Sequence, residues 1–345
     1  MKVFLLKLGV ILLLPITFVA VYFINDPFKV LYHYDVYSKS GKPYFIYLDK
    51  DVATTHIFLD NYKKYQYDSY IFGNSRSCNF WISDWRKYIN SDKCFHFDGS
   101  CESLYAIGKN VTFIRKHGMR IKNALFILDD DILSKVENNP GHIYIMDPAV
   151  SGESKWTFQA TFFKAYADPQ FFKDYISYLL RHALNPAYEV PLNSNTLCIA
   201  RDTRQYDLAI NEVKYVGFEQ QIASNRDSFY SARANLFPAR DTTVEHYFDP
   251  VIGPKQLNIL NGIKRELTED STSYQIVISP LYNQVKINKK DLDILYAIFG
   301  KEHVFDFSGV NFITNNVYNY YESYHYRPQV AKIILDSIYK NKYQK

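Results

Sequence analysis

The segment Ser69–Ser77, which reads SYIFGNSRS, decides the fold of this chain. Its first part, Ser69–Phe72, is a short apolar run that ends at Gly73. Strands that are covered by helices on both faces read in this way, because neither side of the strand meets water. The small and polar residues that follow, Asn74–Ser77, are typical of a tight turn or a helix cap. The segment therefore predicts a buried parallel strand that ends in a turn.

Four further apolar runs along the chain also end at turn residues: Cys94–Phe97, Ala124–Leu128, Gln275–Ser279 and His303–Phe307. Helical patterns lie between or after these runs: Trp81–Tyr88, Ser103–His117, Pro254–Leu267, Lys290–Phe299 and Pro328–Tyr339. This alternation predicts an α/β fold with three α/β/α layers around a doubly wound, mostly parallel sheet. We expect residues 27–345 to form one such domain, with an inserted, partly helical region at about 133–254.

The first 26 residues predict a transmembrane helix. Val3–Ile24 is almost continuously apolar, and at about 1.5 Å per residue it is long enough for a hydrocarbon core of about 30 Å. Lys2 and Lys7 favour an amino terminus in the cytoplasm, and no small-residue cleavage site follows. We expect an uncleaved signal anchor in the cytoplasmic membrane, with the globular domain on the extracytoplasmic, periplasmic side. The alternative, a long signal peptide, would export the domain as well.

The composition excludes several classes of protein. A chain of 345 residues with 47% hydrophobic and 22% charged residues is not intrinsically disordered. The net charge of +4 is spread along the sequence, which argues against a nucleic-acid partner. Four cysteines without a C-x-x-C pair predict neither a disulfide scaffold nor a zinc site, although export would permit a Cys94–Cys101 or Cys78–Cys198 bond. No phosphate-binding loop, dinucleotide fingerprint or metal signature occurs, so we expect no cofactor and no metal.

Ligands of a doubly wound sheet bind beyond the carboxyl ends of its strands, so we expect reactive side chains at that edge. Ser75 lies on the turn after the first run. Near the other end of the chain, on a predicted loop just before the last helix, Glu322 precedes His325 by three residues. A carboxylate can hold an imidazole by one ring nitrogen and leave the other to take a hydroxyl proton. Each pattern alone also fits a structural role, as a helix cap or as one face of a helix.

Together, and in this order, the two segments resemble the SGNH/GDSL hydrolase superfamily. The resemblance is closest to its membrane-anchored branch, which includes proteins of cell-wall D-alanylation and of alginate O-acetylation. Three blocks of the sequence carry it: Gly73–Arg76, the Asp-Phe-Ser-Gly block Asp306–Gly309, and Tyr321–Tyr326. It extends over most of Tyr70–Leu128 and Gln275–Leu335 and does not cover the insertion.

The resemblance implies a role for individual residues. Ser75 would be the nucleophile, His325 the general base and Glu322 the acidic partner of the histidine. The backbone N–H groups of Ser75 and Gly99 would stabilise the oxyanion. The remaining residues implied in oxyanion stabilisation or substrate binding are Asn74, Arg76 and Asp129.

The sequence departs from the family pattern at three places. Asn74 and Glu322 each stand where relatives usually carry Asp. Asp129-Asp130-Asp131 stands where the family has an Asn donor, and a carboxylate there would repel a developing oxyanion unless it were protonated or turned away. Arg76 either offsets this charge, recognises an anionic substrate, or forms a salt bridge that secures the turn.

These observations lead to two hypotheses. The first is a membrane-anchored extracytoplasmic serine acyltransferase or esterase that acts on O-acyl groups of an envelope or exported polysaccharide. The resemblance implies as partners an acylated polysaccharide or acyl donor and a multi-span membrane O-acyltransferase. The second, favoured by Asp129–Asp131 and Glu322, is an inactive protein of the same fold that binds polysaccharide or assists such a complex. The first requires Ser75 Oγ within about 3–4 Å of a ring nitrogen of His325.

Overall fold

The centre of the protein is a five-stranded parallel sheet. A computed structural model describes residues 2–37, 48–185 and 204–340, with the backbone alone for residues 2–12 and 14. The strands are β1 Ser69–Gly73, β2 Cys94–Asp98, β3 Asn123–Leu128, β4 Ser273–Ile278 and β5 Val304–Asp306. Their spatial order is β2-β1-β3-β4-β5, and all neighbours run parallel. Each predicted apolar run thus forms one strand of the sheet.

The longer helices are α1 Lys2–Asn25, α2 Lys50–Tyr65, α3 Leu104–Lys116, α4 Lys155–Tyr166, α5 Pro169–Leu184, α6 Val216–Ser224, α7 Pro254–Glu269, α8 Lys289–Phe299 and α9 Pro328–Lys340. Short helices form at Ile82–Trp85, Asp130–Ser134, Pro148–Ser151 and Arg226–Ser231, with 3₁₀ turns at Ser77–Asn79, Ala234–Leu236, Lys301–His303 and Val317–Asn319. The described residues also form three short strand pairs: Gln205–Asp207 with Glu212–Lys214, His246–Tyr247 with Val285–Lys286, and Tyr320–Glu322 with His325–Tyr326. The helix expected at Trp81–Tyr88 is confined to Ile82–Trp85.

Helices cover both faces of the sheet, as the apolar runs predict. Tyr70 and Phe72 of β1 pack in the core shared with α2, α3, α7 and α8. Ile71, between them, packs in the opposite core with α9 and Ile82–Trp85. Successive strand residues point to opposite faces, so a strand buried on both sides must be apolar at nearly every position. The α/β class and the three layers follow from this arrangement.

The aromatic insertion packs against the amino-terminal helix. Tyr22 of α1 shares a buried aromatic cluster with Phe162 and Tyr166 of α4 and with Phe171 of α5. A membrane-spanning helix was expected over residues 1–26, where α1 forms. Within the described part of the chain, none of the helices has both the length and the apolar character needed to cross a membrane. Cys94 and Cys101, one of the two pairs that export would permit to form a disulfide, are free thiols, and Cys198 lies outside the described residues.

The strand order creates a switch point in the sheet. From β1, the chain crosses to β2 on one side, and β3 then lies on the other side of β1. Doubly wound sheets with this strand order bind ligands in the crevice beyond the carboxyl ends of the strands at the switch point. Gly73 and Leu128, the last residues of β1 and β3, lead directly into that crevice.

Candidate active site

A tight turn holds Ser75 at the carboxyl end of β1. The Asn74 side chain accepts from the backbone N–H of Arg76 at 3.0 Å, and Ser77 N donates to the Asn74 carbonyl at 2.8 Å. Only glycine fits at Gly73, because a Cβ atom there would lie 2.8 Å from the Ile127 carbonyl oxygen. The close packing of β1 on β3 thus fixes where the turn begins. The turn leaves Ser75 half-buried at the edge of the sheet.

Glu322 and His325 face each other across a β-hairpin. The strands Tyr320–Glu322 and His325–Tyr326 run antiparallel, with Glu322 directly opposite His325. The sequence predicts a loop for this segment, so the hairpin is a correction. Directly opposite residues have Cβ atoms about 4.5–5.5 Å apart, which explains how a three-residue spacing brings these side chains together. The backbone N–H of Tyr324, in the turn, holds the second carboxylate oxygen of Glu322 at 2.6 Å.

The hairpin places the imidazole against the serine. His325 Nε2 lies 2.8 Å from Ser75 Oγ, and His325 Nδ1 makes a short hydrogen bond to the Glu322 carboxylate. With Nδ1–H donating to the carboxylate, Nε2 is free to accept the serine proton. The His325 side chain is 33% exposed, so the pair is open to a substrate. The proximity that the first hypothesis requires is therefore present.

Asp129 is buried and its charge is paired. Its Oδ1 caps the helix Asp130–Ser134 by accepting from Ile132 N at 2.9 Å. Its Oδ2 accepts from the Arg76 guanidinium at 2.6 Å and from the Asn74 amide at 2.8 Å. Burial alone would lower the pKa of Arg76, but the charge of Asp129 raises it. Of the roles considered for Arg76, this geometry matches the salt bridge that secures the turn.

Arg76 also connects the two halves of the site. Its Nε donates to the backbone carbonyl of Tyr324 at 3.0 Å, in the turn of the hairpin that carries His325. One guanidinium therefore fixes the serine turn, the end of β3 and the histidine hairpin relative to one another. Asn74, Arg76 and Asp129 form a support beneath the Ser–His pair, and their polar groups are already occupied by one another.

The two backbone N–H groups that were expected to stabilise the oxyanion differ in whether they are already directed at an acceptor. The backbone N–H of Ser75 has no acceptor within the described ranges. The N–H of Gly99 is directed at the Gly73 carbonyl, at 3.4 Å. Gly99 also has a packing role, because a Cβ there would lie 2.7 Å from carboxylate oxygens of both Asp51 and Glu102. In this structure the Ser75 amide is the stronger candidate donor.

A second serine–histidine pair lies close by and is structural. Ser77 Oγ contacts His96 Nε2 at 2.9 Å, and it also contacts the Asn74 carbonyl at 2.7 Å. Because the Ser77 hydroxyl donates to this carbonyl, it accepts from the imidazole and has no proton to give up. Burial lowers the pKa of His96 to about 4, so the ring is neutral. Both side chains are buried and hold the turn from below.

A cavity of about 440 Å³ opens beside Ser75 and His325. Gly99 lines it, and so do residues that the sequence analysis did not single out, from the start of α2 and from the insertion. One signal for α2 is present in the sequence. Asp49 caps the helix, and Ala53 and Ile57 follow at the i, i+4 spacing of a buried helix face. For the lining residues that the insertion supplies, the sequence shows no comparable pattern.

Among the described side chains, no three His, Cys, Asp or Glu residues come together as ligands for a metal ion. No protein-family model matches the sequence, and a search of curated proteins finds no match. The geometry of the site and the motifs in the sequence are therefore what indicates a function for this protein.

Proposed function

We propose that the protein is a serine-dependent acyltransferase or esterase that acts on O-acyl groups of an envelope or exported polysaccharide. The observation that carries this proposal is the continuous hydrogen-bonded chain Ser75–His325–Glu322, which lies at the switch point of the sheet and opens into a cavity. A serine, a base and an acid in this order activate a hydroxyl for attack on an ester carbonyl.

Acyl transfer proceeds in two half-reactions. Ser75 Oγ attacks the ester carbonyl and His325 Nε2 takes its proton, which gives a tetrahedral oxyanion. The carbon–oxygen bond to the leaving alcohol then breaks, His325 returns the proton to that alcohol, and the acyl group stays on Ser75. A sugar hydroxyl or water, deprotonated by His325, then attacks the carbonyl of this acyl-enzyme. The bond between the acyl carbon and Ser75 Oγ breaks, His325 returns the proton to Ser75, and the new ester or the acid leaves. The Glu322 carboxylate fixes the histidine tautomer and stabilises the imidazolium in both halves.

We also propose a family, a location and partners for the protein. Membership of the membrane-anchored branch of the SGNH superfamily is supported by Gly73–Arg76, Asp306–Gly309 and Tyr321–Tyr326, which match its blocks in order. By that resemblance, the amino-terminal segment tethers the domain on the extracytoplasmic side of the inner membrane. A multi-span membrane O-acyltransferase would supply the acyl group, and the exported polysaccharide would accept it.

Hydrolysis of p-nitrophenyl esters by the purified full-length protein in detergent tests the proposal. We expect Ser75→Ala to lower the rate of hydrolysis by at least about 10³-fold, because Ser75 supplies the hydroxyl that contacts the base. Ser231→Ala, at an exposed helix end, is the matched control and should retain the wild-type rate. Equal rates for wild type and Ser75→Ala would reject Ser75 as nucleophile.

One observation favours the second hypothesis, an inactive protein that binds polysaccharide or assists a transferase complex. The Gly99 amide is directed at Gly73, and Asp129 replaces the expected Asn donor, so the oxyanion has a single clear backbone donor. Loss of one donor typically costs about 10²–10³ in rate. Under this hypothesis, wild type and Ser75→Ala would bind the polysaccharide equally and neither would turn over an ester.

A further inference from the structure

The cavity beside the catalytic pair is much larger than an acetyl group needs. Its volume of about 440 Å³ equals the space of about fifteen water-sized groups at about 30 Å³ each. Ser75 and His325 form part of its wall, so the cavity begins at the reacting atoms. A group attached to the carbonyl carbon would therefore extend into it.

Much of the wall is aliphatic. Two elements that converge on the site supply this surface, α2 with the residues before it and the insertion. The aliphatic lining residues are Leu48, Ala53, Ile57, Ile143, Leu208 and Val213. Ala53, Ile57 and Val213 are buried, so they form a fixed wall of the cavity.

Three polar groups of the wall, Lys50, Asp98 and Asn211, bond to one another. Lys50 Nζ lies 3.4 Å from Asp98 Oδ1 and 3.2 Å from Asn211 Oδ1. The Asn211 amide donates to the His96 carbonyl at 2.6 Å, and Asp98 Oδ2 accepts from the Cys78 thiol at 2.9 Å. Groups that are already paired offer a ligand few new hydrogen bonds.

Tyr37, on the same wall, is also paired. Its hydroxyl contacts His56 Nδ1, and His56 Nε2 lies 3.1 Å from Asp147 Oδ2. With Nε2–H donating to the carboxylate, Nδ1 accepts the tyrosine proton, so the tyrosine hydroxyl is used inside the wall. A sugar ring placed against these paired groups would lose hydrogen bonds to water that they do not replace, whereas a hydrocarbon chain would lose none.

We propose that this cavity is a subsite for the hydrocarbon tail of the transferred acyl group, and that the preferred substrate is an ester of a medium-chain acid and not an acetate ester. This inference rests on the proposed function, because it places the ester carbonyl at Ser75. It narrows the acyl group that the serine carries and leaves the acceptor hydroxyl outside the cavity.

A chain-length series tests the subsite on the full-length protein. The probes are p-nitrophenyl acetate, butyrate, hexanoate, octanoate and decanoate, each assayed with wild type and with Ser75→Ala. We expect the Ser75-dependent kcat/KM to rise from acetate to octanoate, by up to about fourfold for each methylene that enters the cavity.

A bulky substitution should shorten the chain that fits. Leu208→Trp fills part of the cavity, and we expect it to lower the octanoyl-to-acetyl ratio of kcat/KM at least about tenfold. Leu180→Trp makes the same exchange at a side chain that is 63% exposed on α5, and it should keep the wild-type ratio. If thermal melting shows that Leu208→Trp is unfolded, Ile143→Trp, on another part of the wall, replaces it.

The outcomes separate the two proposals. Ser75-dependent hydrolysis that is fastest with acetate and falls with chain length would overturn the subsite and leave the proposed function standing. An unchanged ratio in a folded Leu208→Trp protein would overturn the subsite too. Hydrolysis that is the same in wild type and Ser75→Ala for every ester would reject the proposed function, and the subsite with it.

Discussion

At the scale of single residues, Glu322 is one of the three departures from the pattern that the sequence resembles. Its side chain is one methylene longer than the usual aspartate, yet its Oε1 reaches His325 Nδ1, and its Oε2 is held by the backbone of Tyr324. The hairpin supplies the geometry that the longer side chain needs. The hydrogen bond from the Tyr324 backbone keeps the Glu322 carboxylate from rotating away from the imidazole ring.

We expect Glu322→Gln to lower kcat strongly, by about 10²–10⁴-fold, with little change in KM. The amide keeps the shape of the side chain but removes the negative charge that stabilises the imidazolium and fixes the tautomer. Steady-state hydrolysis of the preferred p-nitrophenyl ester measures this effect. Glu302→Gln, at a side chain that is 72% exposed, is the control and should be neutral. A Glu322→Gln protein with a lowered melting temperature and an unchanged kcat would show a purely structural residue.

At the scale of elements, the insertion fastens the hairpin that carries His325. Glu219, on α6, accepts from the Tyr321 hydroxyl at 2.7 Å and from two nitrogens of Arg327 at 2.9 and 2.7 Å. Tyr321 immediately precedes Glu322, and Arg327 lies two residues after His325. Burial would raise the pKa of Glu219, but hydrogen bonds from Arg327 and Tyr321 lower it, so the carboxylate is ionised. One carboxylate of the insertion therefore holds both strands of the hairpin.

Glu219 is thus a positioning residue, and we expect Glu219→Gln to lower kcat about tenfold to hundredfold while KM changes little. A small displacement of the imidazole from Ser75 is enough for a loss of this size. Glu266→Gln removes one partner of another glutamate–arginine pair, with Arg115, on the far side of the sheet, and serves as the matched control. If both variants have a melting temperature lowered by the same amount and an unchanged kcat, Glu219 contributes only to stability.

The elements of the fold differ in whether the sequence predicts them. The five strands follow from their apolar runs, and Ser75 and His325 from the turn and the Glu-x-x-His spacing. The hairpin Tyr320–Tyr326 does not, because its strands are only three and two residues long and leave no measurable alternation. Nor does the contact between Glu219 and Arg327, which are 108 residues apart. A hydrogen bond between distant segments leaves no local pattern, so the cavity wall that the insertion supplies was not predictable either.

At the scale of the whole molecule, two buried carboxyl groups join α2 to the sheet. Asp51, in the first turn of α2, and Glu102, after β2, lie side by side beneath Gly99, where an oxygen of each carboxyl group is 2.7 Å from the place that a Cβ atom would take. Asp49 and Asp98 lie near them, and Lys50 is the nearby cation. Burial raises the pKa of Asp51 to about 7, although the hydrogen bond from Glu102 acts in the opposite direction. Burial and the charge of Asp51 also raise the pKa of Glu102. The pair is therefore most stable when it holds a proton.

This pair predicts that the free energy of unfolding decreases as the pH rises from about 4 to about 7. An aspartate in the unfolded chain loses its proton near pH 3.9, whereas Asp51 in the folded protein keeps it up to about pH 7. Below about pH 4 both the folded and the unfolded state hold the proton, and the stabilisation is complete. Between the two pKa values only the folded state holds it, so each step upward in pH favours unfolding.

For wild type we expect the free energy of unfolding to fall by on the order of a few kcal/mol across this range, measured by urea unfolding in detergent. Asp51→Asn removes the titrating carboxyl group of Asp51 at nearly the same size, so the stability of this variant should depend less on pH. Asp92→Asn, at a side chain that is 90% exposed, should follow the wild-type curve. Parallel curves for wild type and Asp51→Asn would show that the pair does not hold its proton through the folded state.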